Sequence, residues 1–155
     1  MAIALAPSTK VDRADLQLVF ARSLIQVGRK WPRHFSDKME GAGQTYARWR
    51  TLFWISQSPD GVSQRKLAES LGVEEPTLVR LLDALQKQGL VERRPHKTDR
   101  RVNLVFNTPA AEPVLASGNQ LAASMRDQMF DGVSSEDIAA GIRVLEMIAR
   151  RLDRT

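Results

Sequence analysis

Between Ser63 and Phe106 the spacing of the apolar residues changes from helical to alternating, and this restricts the fold more than any other feature of the 155-residue chain. Ser63 offers an N-cap hydroxyl to a helix that runs through Leu67 and Leu71 and stops at Gly72, where glycine tolerates the left-handed turn that closes many helices. Pro76 then falls in the first turn of a second helix, a place where its missing N–H costs nothing. Leu78, Leu81, Leu82 and Leu85 form the buried stripe of that helix, Gly89 ends it, and Pro76, Thr77, Arg80, Asp83 and Lys87 fall on the opposite side. Two helices joined by a tight turn, the second with a polar outer face, have the form of a helix-turn-helix. Beyond Leu90 the period becomes two: Val102, Leu104 and Phe106 alternate with Asn103 and Val105, and Val91 to Pro95 precede them. Two short strands joined by His96 to Arg100 are predicted, projecting as a wing.

The flanks are helical. Leu16, Phe20, Leu24, Val27, Trp31, Phe35 and Met39 recur at steps of three or four, which predicts a helix from about Asp12 to Met39. Pro32 lies inside it, so either a kink there or two helices broken at the proline is expected. After Gly41-Ala42-Gly43, the stretch Gln44 to Ser58 carries Tyr46, Trp49, Leu52, Phe53 and Ile55 at helical spacing, and Ser58-Pro59-Asp60-Gly61 is a turn. Thr108-Pro109 reads as the N-cap and first residue of a helix with Val114, Leu121, Met125 and Met129 on one side, closed by Asp131-Gly132. Ser134 with Asp137 resembles a capping box for a last helix carrying Ile138, Ile142, Leu145, Ile148 and Leu152. The fold class is therefore mainly α with a small β-hairpin wing.

Composition narrows the chemistry. Hydrophobic residues at 43% and charged residues at 26% suit a folded globular chain, and the net charge of +5 favours a polyanionic partner. With no cysteine there is no disulfide, thiolate ligand or thiol switch, and with only His34 and His96 no zinc site is expected. No cofactor is implied, and no nucleophile elbow, phosphate loop or Ser/His/Asp grouping is legible, so the chain does not read as an enzyme. Met1 to Pro7 is too short for a signal-peptide core or a membrane span, and a cytoplasmic location is expected. The cations concentrate on the hairpin: Arg93, Arg94, Lys97, Arg100 and Arg101 outweigh Glu92 and Asp99. A narrow cationic hairpin suits a minor groove, where the potential is strongly negative, and its flanking cations suit phosphates. Arg80, one turn from Thr77, is placed to face a major groove and donate to a guanine, while Glu74 and Glu75 either accept from cytosine or serve the helix dipole.

The run Gln64-Arg65-Lys66-Leu67-Ala68-Glu69-Ser70-Leu71-Gly72-Val73-Glu74-Glu75-Pro76-Thr77-Leu78-Val79-Arg80, followed by Leu85, Gly89-Leu90-Val91 and Asp99-Arg100-Arg101, resembles the MarR family of winged-helix regulators, nearest its SlyA-type branch. The resemblance implies a flexible arm over residues 1–11, dimerisation helices over 12–43 and 109–155, and a winged helix-turn-helix domain over 44–108. It implies a homodimer that sets two lobes on successive major grooves of a pseudo-palindromic double-stranded DNA site, as repressor or anti-silencer. Carried over, Glu75, Pro76, Thr77 and Arg80 are recognition-helix positions, and Ser63, Gln64, Arg65 and Lys87 contact phosphates. In the wing, Arg94, Lys97, Asp99, Arg100 and Arg101 approach the minor groove, with Asp99 as the brace and either Arg100 or Arg101 inserting. Family members often release DNA on binding a small aromatic acid or related anion. Here Trp31, His34, Tyr46, Arg48, Trp49, Phe53 and Trp54 supply aromatic surface and positive charge for such an effector, or else simply build core. Asn107-Thr108 stands where the family commonly has Leu-Thr, which predicts looser packing at the base of the wing. A winged-helix module that binds protein and no DNA is the alternative.

Overall fold

The heptad-like spacing that begins at Leu16 produces one long helix, α1 (Arg13–Gly41), which continues through Pro32 rather than breaking into two. The computed structural model describes residues 12–41, 45–96 and 102–154. After α1 come α2 (Tyr46–Ser56), β1 (Val62–Ser63), α3 (Gln64–Leu71), α4 (Glu75–Lys87), β2 (Val91–Pro95), β3 (Asn103–Asn107), α5 (Glu112–Met129) and α6 (Ser135–Leu152). Residues 1–11, where the arm is expected, and the wing-tip residues Lys97, Asp99, Arg100 and Arg101 lie outside the described residues. The chain divides into two compact units, the first ending at Gly118 and the second starting at Asn119, so α5 runs across the boundary.

The core of the first unit is aliphatic. Leu52 and Ile55 of α2, Leu67 and Leu71 of α3, and Leu78, Leu82 and Leu85 of α4 are buried together with Val91 and Val105 of the sheet. Each such side chain taken out of water contributes about 1.5–3 kcal/mol, and together they fix the angle at which α4 leaves the surface. Local signals set the boundaries: Ser63 Oγ accepts from the Lys66 amide at 3.3 Å to start α3, and Gly72 at φ 62° closes it in the left-handed region. The polar face of α4 then has no choice but to look outward.

The sheet contains a strand that the sequence pattern does not reveal. It is three-stranded and antiparallel in the order β1-β3-β2, with Val62 opposite Val105 on one side and Val91 opposite Asn107 through Pro95 opposite Asn103 on the other. β1 is two residues long, between the Gly61 turn and the Ser63 cap, too short to show an alternation. Pro95 lies on the outer strand β2, where a missing N–H is tolerated.

One local expectation at the base of the hairpin is corrected. Thr108 stands at the N-cap position but makes no side-chain cap; its hydroxyl donates to the Gly89 carbonyl, and a 3₁₀ turn over Pro109–Ala111 precedes α5. Asn107 ties β3 to α2, its Nδ2 donating to the Leu52 carbonyl at 2.9 Å, while its Oδ1 is buried with no hydrogen-bond partner among the described residues. In the second unit, α6 is capped by Ser134 Oγ, which accepts from the Asp137 amide at 3.1 Å. The reciprocal half of the capping box takes a variant form, with the Asp137 carboxylate accepting from the Ser134 hydroxyl at 2.6 Å.

Gly118 of α5 permits a close approach: a Cβ there would stand 2.7 Å from Trp49 Cγ, inside any tolerable contact. Gly118→Ala is therefore expected to destabilise the protein by about 1–3 kcal/mol, read as a fall of several degrees in thermal unfolding. Gly141→Ala in α6, where a Cβ meets nothing within 4 Å, is expected to leave the melting temperature unchanged or raise it.

Candidate functional site

With Leu78, Leu82 and Leu85 buried, helical geometry turns Pro76, Arg80, Asp83 and Lys87 into the outermost row of α4, and all four are exposed. Arg80 and Lys87 make no ion pair or hydrogen bond among the described residues, so both heads remain available in solvent. Glu75 is exposed in the first turn, where its charge suits the helix dipole, and Glu74 occupies the N-cap position without a side-chain cap bond. Thr77 also reaches the surface but sits to one side of this row. It lines a cavity of about 150 Å³ between α2 and α4, shared with Tyr46, Arg50, Thr51, Leu71, Val73 and Leu81.

Asp83 is not free. Arg93 on β2 donates from Nη2 to Asp83 Oδ1 at 2.7 Å, from Nη1 to Gln86 Oε1 at 2.6 Å, and from Nε to Gln64 Oε1 at 3.3 Å. One guanidinium thus joins the hairpin, the outer helix and the start of α3. The sequence reading counts Arg93 only as one more wing cation, yet its place in the strand carries a signal. Arg93 stands two residues from buried Val91 and directly opposite buried Val105, so its side chain shares their inward face. Its side chain is 20% exposed. A cation on that face must find partners, because burying it unpaired is costly. The brace between wing and helix in this structure is therefore Arg93, whereas the expected brace, Asp99, lies outside the described residues.

The remaining site residues are placed as follows. Ser63 spends its hydroxyl on the α3 cap, and Gln64 spends its carbonyl oxygen on Arg93. Arg65 extends from the first turn of α3 and pairs with Glu69 at 3.1 Å, with side chains 81% and 64% exposed, an arrangement loose enough to exchange partners. Arg94 faces the other side of the sheet from Arg93: its guanidinium lies 4.8 Å from the Phe106 ring centroid and pairs with Glu92.

The aromatic set expected to receive an effector is mostly a packing ladder between α1 and α2. Trp31 stacks on Phe35 at 5.6 Å, Phe35 on Trp49 at 6.4 Å, and Trp49 continues to Phe53 at 5.5 Å and on to Trp54. Tyr46 joins from the side, 5.9 Å from Trp49. Phe35, absent from the expected set, is buried at its centre along with Trp49, while His34 and Trp54 are exposed. The Arg48 Nε is buried with no hydrogen-bond partner among the described residues.

The fold has known counterparts. Residues 42–102 match the model of the MarR family. The crystal structure of transcriptional regulator PA3341 is 36% identical, covering 88% of this chain and 99% of its own, with a TM-score of 0.80. A mutant MarR from E. coli complexed with operator DNA shares the fold at 22% identity, over 88% of this chain and 98% of that one, with a TM-score of 0.71. The S. aureus MepR–DNA complex does so at 18% identity, over 94% and 99%, also with a TM-score of 0.71.

The two ion pairs differ in kind, and a urea-unfolding double-mutant cycle separates them. Asp83→Ala with Arg93→Ala is expected to show a coupling of about 1 kcal/mol, since that pair is half-sheltered and shares further acceptors. Arg65→Ala with Glu69→Ala, an exposed helical pair, is expected to couple by less than about 0.5 kcal/mol.

Proposed function

The chain belongs to the MarR family of winged-helix transcriptional regulators, and from that premise we propose that it acts as a homodimer on pseudo-palindromic promoter DNA, repressing transcription by occupying the site. The observation that carries this reading is the exposed row Pro76, Arg80, Asp83 and Lys87 beside a cationic hairpin, with Arg80 uncommitted to any neighbour among the described residues. Set in a major groove, the Arg80 fork matches the O6 and N7 acceptors of guanine. Glu75, Pro76 and Thr77 complete the leading end of that helix. Ser63, Gln64, Arg65 and Lys87 are assigned to phosphates in this reading, and neutralising phosphates is what makes such binding depend on salt. Arg94 extends the cationic surface along β2, and the sequence assigns the minor-groove role to Lys97, Asp99, Arg100 and Arg101. The likeness to MarR and MepR, both seen on DNA, supports the same use of the fold here.

Dimerisation is supported by apolar surface left in water. In α1, Leu16 is 47% exposed and Val27 53%, and in α6 Ile142 is 51% exposed and Leu152 70%. Stripes of this kind gain about 25 cal/mol for each Å² covered, and a second copy supplies the complementary face. In this reading residues 12–43 and 109–155 dimerise and 44–108 bind DNA, as in the SlyA-type branch that the motifs resemble. No helix among the described residues is long and apolar enough to cross a membrane. A small aromatic acid is the effector class we assign, on the strength of the unsatisfied Arg48 Nε on α2, the helix that carries most of the ring ladder.

Electrophoretic mobility shifts with promoter fragments from the chain's own and neighbouring genes test the assignment. Arg80→Ala is expected to weaken binding at least tenfold, equivalent to about 1.4 kcal/mol. Arg65→Ala is expected to weaken binding to all sequences alike and to flatten the salt dependence by about one unit of slope. Unchanged binding by the Arg80 variant contradicts the assigned reading surface.

A further inference from the structure

Among the large hydrophobic residues of α4, Val79 is the one left exposed, at 38%. It contributes little to folding there: a β-branched side chain lowers helix propensity, and an exposed one returns little burial. Its position is specific. Val79 immediately precedes Arg80, and it stands one and two turns before Asp83 and Gln86, on the flank of α4 that faces the hairpin. On that flank the polar side chains are already drawn toward the hairpin, because Asp83 Oδ1 and Gln86 Oε1 both accept from Arg93. What the flank offers to a duplex is therefore a stiff pair of methyl groups, held in one rotamer by the helix, beside an uncommitted guanidinium.

Resting on the DNA-binding reading above, we propose that Val79 is a specificity-determining residue that recognises the 5-methyl group of a thymine in each half-site, next to the guanine taken by Arg80. The thymine methyl is the one apolar feature of the major-groove edge, and it is met by apolar side chains. The bridge from Arg93 makes the recognition selective by withdrawing Asp83 and Gln86 from competition for cytosine or adenine at the same step. Arg80 supplies the polar half of the reading and Val79 the apolar half.

The test uses the full chain and a duplex enriched by it from a random-sequence pool. In that duplex each thymine is replaced in turn by deoxyuridine, which removes the methyl group and nothing else. The wild-type protein is expected to lose about fourfold in affinity at one thymine per half-site, corresponding to about 0.8 kcal/mol for one apolar carbon group returned to water. Val79→Ala is expected to bind the thymine and uracil duplexes within about twofold of each other, while Val79→Thr, which keeps one γ-methyl, retains most of the discrimination. If no thymine position is sensitive, or if Val79→Ala discriminates as well as the wild type, the assignment is wrong while DNA binding stands. A pool that yields no enriched sequence contradicts DNA recognition itself and the Val79 assignment with it.

Discussion

The guanidinium of Arg93, carried on the hairpin, bonds the outer helix and the start of the preceding helix at once. Because it lies on the inward face of β2, moving the hairpin away from α4 would strand a cation against buried Val91 and Val105. Leaving a sheltered charge without partners is costly, which favours keeping hairpin and helix together. Three hydrogen bonds from this one side chain thus add to the aliphatic packing in holding α4 against β2. Asp83 benefits as well, since a carboxylate on the outermost row of a helix meant for a polyanion would repel it if left uncompensated.

Beneath this polar brace the orientation of α4 comes from aliphatic packing. Leu78, Leu82 and Leu85 meet Leu67 and Leu71 of α3 and the inner residues of the sheet in one buried cluster. Helix α2 belongs to this cluster through Leu52 and Ile55 and to the ring ladder with α1 through Trp49 and Phe53. Asn107 adds a polar tie from β3 to the α2 backbone. The second helix therefore packs at once against α1 and against the buried cluster that holds the helix carrying Arg80.

Much of this was legible in the residue order, and the parts that were not have physical reasons. Ser63, Gly72, Pro76 and Gly89 mark helix ends by chemistry that acts within a turn, so α3 and α4 appear where their caps predict. Period-two alternation likewise exposes β2 and β3. β1 escapes because two residues carry no period, and it exists only through pairing with β3, where Val62 stands opposite Val105, far along the chain. The partners of Thr108 and Asn107 escape for a similar reason: their side chains answer to Gly89 and Leu52, distant in sequence. Arg93 illustrates the finer point. The same alternation that reveals the strand also points that arginine inward, so its partnering was inferable, although the identity of its partners required the fold. The aromatic residues were visible as a cluster, but whether rings pack on one another or on a guest depends on Phe35 reaching into their midst, which spacing alone does not decide.

In the proposed mode of binding, two copies of this surface, related by a twofold axis, hold one duplex. Hydroxyl-radical footprinting of the full chain on its enriched site measures this directly. The account predicts two protected segments, symmetric about a centre and about 10 base pairs apart or a multiple of that, with further protection in the flanking minor grooves. A single asymmetric protected segment, or protection that is the same on every sequence tried, would contradict it.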